Sequence, residues 1–192
     1  MDPCDDSGQS NMCFMKSRQF GFTLVELLIT VAIVAILASL AVPSFRTLFV
    51  KRTVQAAADT LVSDMRFARS EALKRSTRTT ICRSTDSASC AVSGSWSDGW
   101  IVFVDMNANG TVDVGDDLVR VQQALPNISS IRGIALADPV LSFKYEPTGY
   151  AKGAAQPFFI IPSANDAAGL TRLVCVSITG RPALRSEGAT AC

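Results

Sequence analysis

Residues 22–42 read FTLVELLITVAIVAILASLAV, an almost unbroken apolar run about as long as the ~20 residues that a helix needs to cross a bilayer. A helix apolar on every side requires lipid or other helices around it. Lys16 and Arg18 precede the run, and no acid lies between Met15 and Gly21. Positive charge on that flank holds it in the cytoplasm, so the chain after Val42 is expected outside. A conventional secretory signal would end in a small-residue cleavage site; residues 38–41 offer a faint one, but the stretch exceeds a usual h-region.

Glu26 stands five residues into this run. An unpaired carboxylate there would cost several kcal/mol (about 3 on insertion scales) or remain protonated. A cut between Gly21 and Phe22 would create an α-amino group four residues away, and in a bundle of such helices one Glu26 could neutralise its neighbour's terminus. The glycine, the phenylalanine and the glutamate then have one explanation.

The segment Gly21-Phe22-Thr23-Leu24-Val25-Glu26-Leu27-Leu28 resembles the class III signal of type IV prepilins and type II secretion pseudopilins. The resemblance implies that prepilin peptidase cuts after Gly21 and N-methylates Phe22. It also makes Glu26 the assembly carboxylate and Pro43 the helix-bending proline. Residues 1–21 are then a leader, removed on processing. The acidic stretch 1–14, with Cys4 and Cys13, is unlike the short basic leaders of that family, whereas a start at Met15 gives the ordinary leader MKSRQFG.

Beyond Pro43, Val54, Ala58, Leu61, Met65, Ala68 and Ala72 recur at helical spacing, while Arg52, Asp59, Arg66, Lys74 and Arg75 take other faces. The expected helix covers residues 22–75, its membrane part 22–42, on the order of 80 Å if straight. Pro43 would kink or locally melt it. From residue 76 to 192 the pattern becomes β-rich, with runs at 79–83, 100–105, 118–123, 140–145, 158–162 and 173–179 between Gly, Pro, Asn, Asp and Ser clusters. The expected fold is α+β: a long N-terminal helix, its second half packed on an antiparallel sheet or sandwich. WSDGWIVFVDMNANGTVDVGDDLVR, PTGYA and VCVSITGRP resemble the GspH/FimT branch of pseudopilins and minor pilins.

Histidine is absent, which removes the commonest general base and transition-metal ligand. With no GxSxG, P-loop or HExxH pattern, no enzymatic activity is expected. The six cysteines form no CxxC pair. Cys82 and Cys90 flank a Ser-rich loop, Cys175 lies in an apolar run and Cys192 ends the chain. Of the three connectivities open to four cysteines, the sequence-local Cys82–Cys90 and Cys175–Cys192 are favoured, and they presume an oxidising compartment.

Two further patterns are open. Asp105, Asn107, Asn109, Asp113 and Asp116, with Gly110 at the sixth position, fit a calcium loop. Asn109-Gly110 is equally a hairpin-turn signal, and the flanks read as strands. Calcium is the one candidate cofactor. Arg66, Arg69, Lys74, Arg75, Arg78 and Arg83 could track phosphates, or form a solvated helix face offset by Asp59, Asp64 and Glu71. Minor pilins resembling FimT bind DNA through a C-terminal Gly-Arg-x-Arg motif. Gly180-Arg181 matches its first half, Ala183 replaces the second arginine, and Arg185 follows two residues later. Trp96 and Trp100 are expected in the core.

The leading expectation is a single-pass inner-membrane precursor, N-terminus cytoplasmic and β domain periplasmic, that joins a type IV pilus or type II secretion filament. Its partners would be prepilin peptidase and other pilin or pseudopilin subunits. The alternative is a minor pilin that captures double-stranded DNA through Arg181 and Arg185.

Overall fold

The computed structural model describes residues 21–133, 141–152, 156–163 and 169–192, with the side chains of 40–44 and 156 outside the description. Lys16 and Arg18, and Cys4 and Cys13, lie outside it. The chain forms two compact units, residues 1–42 and 43–192. Helix α1, Leu24–Arg75, contributes to both.

In the first unit, α1 begins at a cap that the sequence encodes. The Thr23 hydroxyl accepts the Glu26 backbone N–H at 3.2 Å, and the Leu27 N–H reaches Thr23 O at 3.1 Å. Thr23-Leu-Val-Glu26 is thus an N-cap with an acid at its third helical position, favourable at the positive end of the helix dipole. Every large apolar side chain described between residues 22 and 37 is more than half exposed, from 52% at Ile33 to 80% at Phe22. Among the described residues no helix is long and apolar enough to cross a membrane. The expected span, 22–42, runs into residues 40–44, whose side chains lie outside the description. The backbone around Pro43 is helical, and the boundary between the units falls immediately before it.

In the second unit the strands are β1 Thr79–Arg83, β2 Gly99–Val104, β3 Asp117–Gln123, β4 Ile128–Arg132, β5 Ser142–Tyr145, β6 Ala151–Lys152, β7 Gln156–Pro162, β8 Arg172–Val176 and β9 Pro182–Leu184. They form two sheets among the described residues, β3-β2-β1-β5-β6 and β4-β7-β8-β9, with every pairing antiparallel. The protein is α+β, as the alternation of patterns requires. β1 (TTICR) and β2 (GWIVFV) are buried along their whole length, which suits their β-branched and aromatic content.

The helical positions Val54, Ala58, Leu61, Met65, Ala68 and Ala72 are all buried. Together with Ala57 and Val62 they meet Ile81, Val102, Phe143 and Tyr145 of the first sheet and Ile131, Phe158, Ile160 and Val174 of the second in one core. The alanines let the helix backbone approach both sheets closely. Trp96 and Trp100 lie in the same core, their rings 6.4 Å apart, and a 3-10 turn at Trp96–Asp98, capped by Ser95, directs Trp96 inward. A second cluster, Cys82, Ile101 and Phe103 with Cys90 and Val112, packs separately.

The helix face is less simple than its charges suggest. Asp64 and Glu71, expected to offset a solvated face, are 4% and 7% exposed. Asp64 accepts the Trp100 indole N–H at 2.8 Å and pairs with Arg120 at 2.5 Å, the Arg120 guanidinium lying 4.4 Å from the centre of the Phe67 ring. Glu71 pairs with Lys74 at 3.2 Å and Arg75 at 2.9 Å. The Lys74 hydrogen bond, followed by that of Arg75, outweighs burial and holds the Glu71 carboxyl below its usual range. Both acids take inward positions because each finds its partners there.

Candidate functional site

The N-terminal residues are placed first. Gly21 and Phe22 precede the cap, both exposed, and a Cβ built on Gly21 meets nothing within 4 Å. The fold itself therefore makes no demand for glycine there. Glu26 is exposed one turn into α1, surrounded on the helix by apolar side chains.

Both sequence-local disulfides are formed. Cys82–Cys90 joins Cα atoms 5.6 Å apart, and Cys175–Cys192 joins Cα atoms 5.7 Å apart. Arg83, next to the first one, binds the segment that follows Cys90, donating to Ala91 O at 3.2 Å, Val92 O at 3.0 Å and Gly94 O at 2.5 Å. It is 3% exposed, and burial pushes its guanidinium below the usual arginine range. Counting Arg83 among surface charges is therefore corrected: its cation serves the carbonyls of residues 91, 92 and 94. The second disulfide holds the C-terminal tail, whose Glu187 also pairs with Lys51 at 3.1 Å.

Residues 105–116 connect β2 to β3 as a long hairpin loop. Asp105 Oδ2 accepts the Thr80 hydroxyl at 3.1 Å and the Gly110 N–H at 2.9 Å. Asp113 accepts the side-chain amides of Asn107 and Asn109, which hold its carboxyl below the usual range. Asp116 accepts the backbone N–H groups of Met106 and Asp113, both at 2.9 Å. One oxygen, Asp105 Oδ1, is buried without a partner, yet the Lys144 ammonium occupies the space over Gly110, where a Cβ would meet Nζ at 2.1 Å. Among the described residues no group of three or more His, Cys, Asp or Glu side chains is placed to hold a metal ion. Apart from Asp105 Oδ1, the side chains expected to face calcium accept hydrogen bonds from the loop itself or from Thr80, as the side chains of a hairpin loop do.

Of the basic residues, Lys74 and Arg75 are paired with Glu71, Arg75 also with Asp117 at 2.6 Å, and Arg78 with Glu146 at 2.9 Å. Arg66, Arg69 and Arg181 remain. Together with Ser70, Leu73 and Pro182 they line a groove of about 380 Å³. Arg181 and Arg185, which sequence places together, part ways: Arg181 enters this groove, whereas Arg185 Nη2 donates to Cys192 O at 3.4 Å. Sequence reading missed that Arg66 and Arg69 join Arg181, although their spacing with Ser70 and Leu73 marks one helix stripe.

An N-capped apolar helix followed by an antiparallel β domain is the class of pilin-like subunits. The profile described as Type II transport protein GspH matches residues 57–180, and that described as Prokaryotic N-terminal methylation motif matches residues 16–42. The chain belongs to the GspH family, whose members are pilin-type subunits of type IV pili or type II secretion systems. The crystal structure of the type IV minor pilin FimU of Pseudomonas aeruginosa shares the fold at 20% identity. That match covers 72% of this chain and 92% of the other, with a TM-score of 0.54. The minor pseudopilin EpsH of the Vibrio cholerae type II secretion system is similar at 11% identity, covering 72% and 99%, with a TM-score of 0.50. A search of curated proteins found no match.

Proposed function

We propose that this chain is a minor pilin or pseudopilin precursor, cut after Gly21 by prepilin peptidase and methylated on Phe22. Residues 22–42 hold it in the inner membrane with the leader cytoplasmic and the 76–192 domain periplasmic, until the helix joins a filament. The observation that carries this reading is Glu26, a carboxylate one turn into α1, among large apolar side chains that between residues 22 and 37 are all more than half exposed. Packing such helices together buries their apolar surface at roughly 25 cal/mol per Å². It also buries Glu26, which then needs the α-amino group of a neighbouring Phe22. Gly21, on which packing places no demand, supports the same reading: a small residue there serves the peptidase rather than the fold. Pro43, without a backbone donor, is the point at which the helix bends or loosens in the filament. Cell fractionation tests this. With prepilin peptidase present, the chain is expected in the sheared filament or pseudopilus fraction; without the peptidase, all of it stays in the inner membrane. Equal recovery in filaments from both strains would sink the reading.

A second reading, DNA capture by the assembled subunit, is favoured by one observation: Arg181 lines a groove together with Arg66 and Arg69, and no carboxylate lines it.

A further inference from the structure

We infer that Asn109-Gly110, in the middle of the β2–β3 loop, is a self-modification site: the Gly110 backbone nitrogen displaces the Asn109 side-chain amide as ammonia, and the cyclic imide so formed opens to aspartate or isoaspartate. The reaction needs no partner and is independent of the filament reading.

An asparagine before glycine is prone to this ring closure, because glycine has no Cβ to hinder its own nitrogen. The loop adds the groups that the chemistry uses. The nucleophile is Gly110 N, and its N–H points at Asp105 Oδ2, 2.9 Å away. A carboxylate at that distance is placed to take the proton as the nitrogen attacks. Asp105 is buried and held by the Thr80 hydroxyl at 3.1 Å, and its second oxygen, Oδ1, has no hydrogen-bond partner among the described residues. The electrophile is Asn109 Cγ, whose oxygen accepts the Thr111 N–H at 2.8 Å and the Thr111 hydroxyl at 2.9 Å. Negative charge gathers on that oxygen as the tetrahedral intermediate forms, so the two donors act as an oxyanion hole. Lys144 sets its ammonium over Gly110, where a Cβ would meet Nζ at 2.1 Å, and adds positive charge beside the closing ring.

The surrounding backbone is held as well. The Asn109 N–H reaches Asn107 Oδ1 at 3.2 Å, and Arg78 Nη1 donates to Ala108 O at 2.8 Å. Base, nucleophile and electrophile are thus arranged before the reaction begins.

The bonds balance with water as the one co-reactant. Gly110 N gives its proton to Asp105, a bond forms from that nitrogen to Asn109 Cγ, and the Cγ–Nδ2 bond breaks. Nδ2 leaves as ammonia, carrying the proton that Asp105 accepted. Asn109 is exposed, so water reaches the imide and opens it at either carbonyl. Either product carries a new negative charge near Asp113, which the Asn109 amide had satisfied, and the like charges loosen the loop.

The test is peptide mapping by mass spectrometry of the full chain, aged at neutral pH in neutral detergent, with isoaspartate read by enzymatic methylation. The folded chain should lose ammonia at Asn109 at least about tenfold faster than the same chain held unfolded in guanidinium. Asn107, followed by Ala108 rather than glycine, should stay intact. Asp105→Asn should bring the folded chain down to the unfolded rate. Because that residue is buried and its replacement can unfold the domain, Thr111→Val at an exposed position is the second variant, expected to slow conversion by about tenfold. If Asn109 converts no faster in the folded chain than in the unfolded one, or equally fast in Thr111→Val, the inference is overturned, and the loop's hydrogen bonds protect the amide instead of activating it.

Discussion

Asp64→Ala is expected to destabilise the protein by about 3 kcal/mol, because it leaves the buried Trp100 indole N–H without an acceptor and Arg120 without its counter-ion. The cost falls short of that for a fully buried pair, since the Arg120 side chain is 39% exposed and can return to water. In a chain of this size the loss corresponds to a melting temperature lower by roughly 6–12 °C. Trp96 and Trp100 are the only tryptophans, and both are buried, so their fluorescence during thermal unfolding reports directly on this part of the core. Asp64→Asn keeps an acceptor for the indole and should recover about half of the loss. Because the two side chains share one ion pair, Arg120→Ala should add little once Asp64 is gone. A loss below about 1 kcal/mol, or full additivity of the two changes, would show that Asp64 is not what fastens β2 and β3 to the helix.

Glu26→Ala should reduce incorporation into filaments by about two orders of magnitude while leaving cleavage after Gly21 intact. Two roles compete for this residue, and their magnitudes separate them. At the third position of the capped helix its charge favours the helix dipole by roughly 0.3–1 kcal/mol, too little to stop assembly. As the partner of a neighbour's terminal amine inside an apolar bundle, its loss strands a buried charge, a cost of about 3 kcal/mol or more. Glu26→Gln retains hydrogen-bonding capacity without charge and should fall between wild type and alanine. Quantifying the chain in sheared filaments against total membrane-bound chain decides the matter. Wild-type incorporation by Glu26→Ala would leave only the capping role.

Much of the fold was legible because it rests on periodicity. The buried stripe from Val54 to Ala72 repeats at helical spacing, and β1 runs over the expected 79–83. The strands that escaped notice lack the usual signals. β4 (ISSIR) has serines where alternation should show, β6 is two residues long, and β9 opens on Pro182. Charge was harder to read than hydrophobicity, because a residue's type does not reveal whether a partner awaits it inside. Asp64, Glu71 and Arg83 look like surface residues in sequence, yet all three are buried: Asp64 against Trp100 and Arg120, Arg83 against nearby loop carbonyls, and Glu71 beside its helix neighbours Lys74 and Arg75. The candidate sites divide along the same line. The linear pattern around Gly21 and Glu26 lies within one segment and was read directly. The meeting of Arg66 and Arg69 with Arg181 depends on a turn at Gly180 that brings distant segments together. The spacing of the calcium pattern is legible in sequence, whereas the loop's own hydrogen bonds to Asp105 and Asp113 and the position of Lys144 over Gly110 are not.

The most direct test of the filament-subunit account is the N-terminal residue of the mature chain, read by mass spectrometry on protein recovered from the envelope of cells that express the peptidase. The account predicts a chain that begins at Phe22 and carries one methyl group on its α-nitrogen, and a Gly21→Val precursor that retains its leader. A mature chain that kept residues before Phe22, or one cut near residue 41 behind the apolar run, would contradict it.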